Sequence, residues 1–173
     1  MQLIHNKLKL AKAFVFDVDG VMTDGSVIAT EDGHFLRNFN IKDGYAIQHA
    51  VKAGYPIAII SGGSSNGVNK RFEMLGIKDI YTGQQHKKTA FEEFLLKYHL
   101  TAEDIIYMGD DMPDYPLLKQ VGVACCPADA SIDIQAICHY ISSKEGGKGC
   151  VRDIIEKTMK LQEKWWGDES FMW

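Results

Sequence analysis

The chain has 173 residues, 46% of them apolar and 24% charged, a globular composition that excludes a disordered chain, a collagen-like rod or a coiled-coil rod. Nineteen Lys and Arg against 23 Asp and Glu leave a formal charge of −4, without the basic field of a general nucleic-acid or anionic-membrane binder. The length is that of one domain, spanning 1–173, with a sizeable core and little room for a second lobe.

The N-terminal MQLIHNKLKLAKAF alternates apolar and basic residues. It lacks the apolar stretch and small-residue cleavage site of a signal peptide. AFVFDV (13–18) is a buried strand that stops at acidic residues and Gly20. SVIAT and HFLRNFN flank Glu31-Asp32-Gly33 and predict a β-hairpin insertion over about 25–40. A helix over 43–53 is closed by Gly54, and YPIAII (55–60) is a strand ending at Ser61-Gly62-Gly63. A helix over 65–75, a short strand IKDIY and an amphipathic helix over 87–99 follow. DIIYMG (104–109) is a strand ending at Asp110-Asp111, then come a short helix over 114–120 and a strand VGVAC. A helix over 130–137 and a short strand HYISS precede Gly146-Gly147-Lys148-Gly149, which opens a C-terminal helix and aromatic tail over about 148–173.

Strands thus alternate with helices, and most strands are continuous apolar runs. That pattern predicts an α/β fold, a doubly wound, Rossmann-like parallel sheet covered by helices on both faces. No stretch approaches the ~20 apolar residues of a membrane helix. Cys125, Cys126, Cys138 and Cys150 include no Cys-x-x-Cys spacing and read as reduced thiols of a cytoplasmic protein. His34, His49, His86, His99 and His139 share no ligand spacing and read as surface or core residues. Trp165, Trp166 and Trp173 serve either as an interface anchor or as packing for the last helix.

In an open α/β sheet the functional site lies at the carboxyl ends of the strands. Three such ends carry polar clusters: Asp17 and Asp19, Ser61 with Gly62, and Asp110, Asp111 and Asp114. One Asp alone reads as a helix cap. Several carboxylates in one crevice repel each other unless a cation compensates, and an all-oxygen set suits Mg²⁺. The Ser61 hydroxyl and the backbone of the glycine turn predict an anion cradle. Lys87, at a helix start, supplies a point charge for a phosphoryl group. Lys88 competes for that role. The chemistry expected is attack of Asp17 on phosphorus, with Asp19 protonating the leaving oxygen and then activating water.

FDVDGVMTDG, IISGG, Lys87 and MGDDMPD resemble the four motifs of the haloacid dehalogenase superfamily. The resemblance implies Asp17 as nucleophile, Asp19 as acid and base, Ser61 and Lys87 as phosphate binders, and Asp17, the Asp19 carbonyl and Asp110 as Mg²⁺ ligands. FNIKDGYAI, KRFEMLGI, YTGQQHK, GDDMPDYPLL and EGGKGCVRD narrow it to that superfamily's capless phosphatases of keto-sugar acids. From them follow an eight-carbon octulosonate 8-phosphate substrate and a homotetramer built through the hairpins, with a neighbour helping to close each site. Asn40, Ile41, Lys42, Asp43, Gly44 and Arg71 are then expected to bind substrate. The glycine-rich loop and the tail are expected near a neighbouring site.

Two positions depart from that pattern. Gly63 and Gln48 stand where relatives carry charged residues, and this leaves a nine-carbon nonulosonate 9-phosphate as the alternative. Lys70 and Arg71 are candidate cations for a sugar carboxylate. Two readings of another kind are a phospho-aspartate signalling module and a degenerate scaffold. A second Asp at +2 and a hairpin after the first strand argue against the first; filled catalytic positions argue against the second. Asp17 to Ser61 and Ser61 to Lys87 are both too short for a cap domain.

Overall fold

A computed structural model describes residues 2–171. Its six-stranded parallel sheet has the order β5-β4-β1-β6-β7-β8. The strands are β1 (Ala13–Phe16), β4 (Ile57–Ile60), β5 (Asp79–Tyr81), β6 (Ile105–Met108), β7 (Val123–Cys126) and β8 (Tyr140–Ile141). β2 (Ile28–Ala29) and β3 (Phe35–Leu36) form the separate antiparallel hairpin. The change of direction about β1 makes the crevice between β1, β4 and β6 the switch point where a ligand site is expected.

Alternation along each central strand builds two cores. Phe14, Phe16, Ile57, Ile59, Ile106 and Met108 face one side, where α1 (Gln2–Leu10), α2 (Ile41–Lys52), α3 (Asn66–Met74) and α7 (Cys150–Leu161) pack. Val15, Ala58, Ile60, Ile105 and Tyr107 face the other, under α4 (Lys87–Tyr98), α5 (Tyr115–Leu118) and α6 (Ile132–Gln135). Both faces of each central strand are therefore buried, which is why these segments are apolar without interruption.

α1 departs from the sequence reading, which assigned no helix there. Leu8 is fully buried and Ile4 packs against the same core, so the segment is held by an i, i+4 apolar pair rather than by a broad stripe. Two other elements join across the chain. Asn40 caps α2, its side-chain oxygen accepting from the Lys42 N–H at 2.8 Å, while its Nδ2 donates to the Gly147 carbonyl. Asp43 is buried and accepts from the Arg152 N–H at 2.7 Å, capping the N-terminus of α7 from another helix.

Asp43 gives the fold a pH dependence. Burial pushes its carboxyl up to about 6, against the lowering pull of the α7 backbone and Arg152. A group whose folded pKa is raised stabilises the fold fully only below its unfolded pKa, and loses that stability as pH rises through the folded value. Relative to Asp43→Asn, the wild-type protein is therefore expected to lose stability between about pH 4 and 6 and to level off above. A shift of this size corresponds to at most about 3 kcal/mol. Thermal melts of both proteins from pH 4 to 7.5 read it as a fall of the wild-type Tm relative to that of the variant; a constant difference would contradict it.

Candidate active site

The carboxyl edge of the sheet opens into a cleft of about 470 Å³ lined by Asp17, Asp19, Ser61, Lys87, Asp110 and Asp114, with glycines at its corners. β1 delivers Asp17 and Asp19, β4 delivers Ser61, β6 delivers Asp110, and the first turn of α4 delivers Lys87. Lys87 Nζ lies 2.8 Å from Asp17 Oδ1 and 2.7 Å from Asp114 Oδ1. Asp114 is buried and accepts from the Tyr107 hydroxyl at 2.6 Å and from the Asp110 N–H at 3.2 Å. It therefore braces the lysine from below and ties the Asp110 loop to it. Lys88, by contrast, is 66% exposed and pairs with Glu92 on its own helix.

Close backbone approach makes this packing possible. A Cβ on Gly20, whose φ is +82°, would lie 2.0 Å from Asp110 Oδ2. Only glycine allows both that backbone and that contact. At the β4 end the Ser61 hydroxyl accepts from the Gly63 N–H at 3.2 Å, which folds the turn into a shallow cradle beside Asp17.

The electrostatics fit a divalent cation. Burial, then Asp114, push Asp17 up to about 7 against the opposing pull of Lys87. Burial, then Asp17 and Asp114, push Asp110 up to about 7. For Lys87, burial pulls the ammonium down, but Asp114 and Asp17 outweigh it and leave the group above its ordinary value. Oxygens of Asp17, Asp110 and Asp114 lie within 4.8 Å of one another. Crowded, desolvated oxygen ligands of this kind favour a hard cation that takes few carboxylates and keeps water and phosphate ligands.

The remaining expected site residues fall elsewhere. Asn40, Ile41, Lys42, Asp43, Gly44 and Arg71 do not line the cleft. Asn40 and Asp43 are committed to helix caps, Ile41 and Lys42 are exposed, and Arg71 lies directly over Gly44. Asp111 is exposed at the cleft mouth. Gln48 is half-buried. Trp165 is buried against Tyr45 and His49, Trp166 is exposed, and Trp173 lies outside the described residues. Arg37 was not singled out from sequence. It follows β3 and grips Asp19 with both arms, Nε to Oδ1 at 2.6 Å and Nη2 to Oδ2 at 3.0 Å. A hairpin arginine beside the first acidic motif was the available signal, but 18 positions separate the pair.

An acidic, lysine-braced cleft at the switch point of a parallel sheet suits phosphoryl transfer through an aspartate, as in phosphohydrolases of the haloacid dehalogenase type. A model of the haloacid dehalogenase-like hydrolase family matches residues 76–154. The chain is 35% identical over 153 residues to the 3-deoxy-D-manno-octulosonate 8-phosphate phosphatase of Yersinia pestis, covering 88% of this chain and 82% of that one. The crystal structure of a Yersinia pestis enzyme of that name superposes with a TM-score of 0.92 at 33% identity, over 94% of this chain and 88% of the other. The Moraxella catarrhalis enzyme of that name, solved in complex with a magnesium ion, a phosphate ion and KDO, also gives a TM-score of 0.92. It is 34% identical over 95% of each chain. The chain belongs to this family of capless haloacid dehalogenase-like phosphatases. Among the described residues, no helix is long and apolar enough to cross a membrane.

Proposed function

We infer that the chain is a Mg²⁺-dependent phosphoric monoester hydrolase that converts 3-deoxy-D-manno-octulosonate 8-phosphate to the free sugar acid and phosphate. The observation that carries this reading is the Asp17–Lys87–Ser61 cleft in a chain so similar to that family along most of its length. Asp17, Asp110 and the Asp19 carbonyl would hold Mg²⁺, with Asp111 and Asp114 as supporting charges. Bound Mg²⁺ supplies charge neutralisation between the attacking carboxylate and the phosphate.

The residues then divide the work. Asp17 attacks phosphorus as the ester P–O bond breaks, and Asp19 gives its proton to the departing sugar oxygen. Asp19 next takes a proton from water, which attacks phosphorus, breaks the aspartyl–phosphate bond and releases inorganic phosphate. Ser61, the Gly62 backbone and Lys87 hold the phosphoryl oxygens through both steps. A phosphate-release assay on octulosonate 8-phosphate and a nonulosonate 9-phosphate, with Mg²⁺ and with EDTA, tests the reading. Preferential, Mg²⁺-dependent turnover of the first is expected; preference for the second moves the assignment to the nine-carbon acid.

The whole chain is read as one phosphatase unit of the cytoplasm, acting as a homotetramer. Support comes from the hairpin, where Ile28, Phe35 and Leu36 are all more than half exposed. A two-stranded ribbon with both faces in water is marginal alone and gains from a partner. In this reading a neighbour closes the open cleft, and the exposed Ile41 and Lys42, with Arg71, act at such a shared site. Replacing Phe35 and Leu36 by Asp is expected to give monomers or dimers by sedimentation and to lower kcat/KM at least about tenfold through a less enclosed site. A tetramer that survives the double substitution would contradict it.

A further inference from the structure

The buried strands in the middle of the sheet read AFVF, IAII, IIYM and VACC, and Tyr107 carries the only hydroxyl among their side chains. It is fully buried on the face of β6 that packs under α4 and α5. A hydroxyl taken out of water costs stability unless it finds a partner, and phenylalanine would fill the same space without that cost. Among the described residues the Tyr107 hydroxyl has one hydrogen-bond partner, Asp114 Oδ1 at 2.6 Å. The same oxygen accepts from Lys87 Nζ at 2.7 Å, and Oδ2 accepts from the Asp110 N–H at 3.2 Å. Asp114 is thus gripped by a helix, a loop and a strand, and the strand side chain cannot shift without the sheet.

The aromatic ring makes a second tie. It meets Phe91 edge-on, with ring centroids 6.4 Å apart and planes at 77°. Phe91 stands one helical turn after Lys87 on α4, so the two share a helix face. Tyr107 therefore holds α4 in two ways, directly through Phe91 and through Asp114 at Lys87. A lysine ammonium has three N–H donors. Those of Lys87 reach Asp17 and Asp114, which leaves one for a phosphoryl oxygen in the cradle. Its direction is set by where the two carboxylates hold the nitrogen. The tyrosine hydroxyl also shares the negative charge on Asp114 Oδ1, which moderates that oxygen's pull on the ammonium. Without the hydroxyl, Asp114 loses an anchor and binds Lys87 more tightly, and the ammonium is drawn away from the phosphate.

We propose that Tyr107 is a positioning residue for phosphoryl binding: its hydroxyl pins Asp114 so that Lys87 presents its remaining N–H to the phosphate. The proposal rests on the phosphatase reading above. The effect runs through Asp114 and Lys87 alone, so the hydroxyl matters only where both charges are present.

The test is a pair of double-mutant cycles, read by phosphate release from octulosonate 8-phosphate and by competitive inhibition with inorganic phosphate, both in Mg²⁺. Tyr107→Phe keeps the ring and its place against Phe91, and thermal melts establish that each variant is folded at the assay temperature. In the wild-type background Tyr107→Phe is expected to lower kcat/KM and to raise the phosphate inhibition constant, each about tenfold, the scale of one hydrogen bond to a charged group. In the Lys87→Met background the same substitution is expected to change kcat/KM less than about twofold, because its route to the phosphate is gone. Asp114→Asn, with and without Tyr107→Phe, forms the second cycle, and there too a change of less than about twofold in either quantity is expected. Where Tyr107→Phe alone is unstable, this second cycle decides, since no carboxylate in it loses a partner. Equal factors in the wild-type and variant backgrounds, or an unchanged inhibition constant in Tyr107→Phe, overturn the positioning role and make Tyr107 a packing residue. Wild-type enzyme that releases phosphate from no monoester and is not inhibited by phosphate overturns the phosphatase reading and the proposal together. Normal wild-type turnover with an unaffected Tyr107→Phe overturns the proposal alone.

Discussion

Asp17→Asn is expected to lower kcat by at least on the order of 10³-fold while leaving the protein folded. The amide keeps the shape of the carboxyl group and its place beside Lys87, but it is a poor nucleophile. The covalent step is then lost, and what remains comes from binding and the cradle. Stability should not confuse the result. Asp17 is crowded by Asp114 and by burial, so removing its charge relieves repulsion, and Lys87 keeps Asp114 as its ion partner at 2.7 Å. A Tm equal to or above that of wild type, with phosphate release close to background, is the expected pair of measurements. Turnover near the wild-type rate would remove Asp17 as nucleophile. The intermediate offers a second check. Wild-type enzyme quenched in acid during turnover should carry labelled phosphate on the Asp17 peptide, and the variant should carry none.

The central strands were legible because burial on both faces leaves no polar position to interrupt AFVF, IAII or IIYM. Their polar ends were legible for the same reason, since carboxylates directly after such runs need a purpose. Lys87 and Lys88 could not be separated by spacing. Neighbours on a helix point about 100° apart, and only the seat of α4 against β4 and β6 decides which one turns inward. Asp43 shows the opposite difficulty. Family resemblance suggested substrate contact, but its partner in the fold is the Arg152 amide, 109 positions away. Arg37 escaped because its meaning depends on Asp19, and no local pattern joins a hairpin arm to a strand end. What stayed hidden in each case is a contact set by the path of the chain in space. The short motif intervals did foresee the missing cap: between β1 and β4 stand only the hairpin and α2, and between β4 and α4 only α3 and β5.

Lys87→Met is expected to have the second largest effect, and on two quantities at once. The ammonium is buried between Asp17 and Asp114, so a thioether of similar length leaves two desolvated carboxylates facing each other. Removing one member of a buried ion pair costs about 3–5 kcal/mol. Loss of the charge on the phosphoryl oxygens should lower kcat/KM by about 10²–10³-fold. Poor activity alone could then reflect partial unfolding, and a second substitution separates the two effects. In Lys87→Met/Asp114→Asn the amide retains hydrogen-bonding groups opposite Tyr107 and the Asp110 N–H, which now face Asp114 oxygens at 2.6 and 3.2 Å, while the repulsion between the two unpaired carboxylates is gone and only Asp17 is left without its cation. Urea unfolding without added metal should show the double variant recovering much of the lost stability, because the two sites are coupled. Phosphate release should remain as low as in the single variant, since no cation has returned to the cradle. Recovery of activity together with stability would make Lys87 a structural brace and leave phosphate binding to Ser61, the glycine turn and the metal.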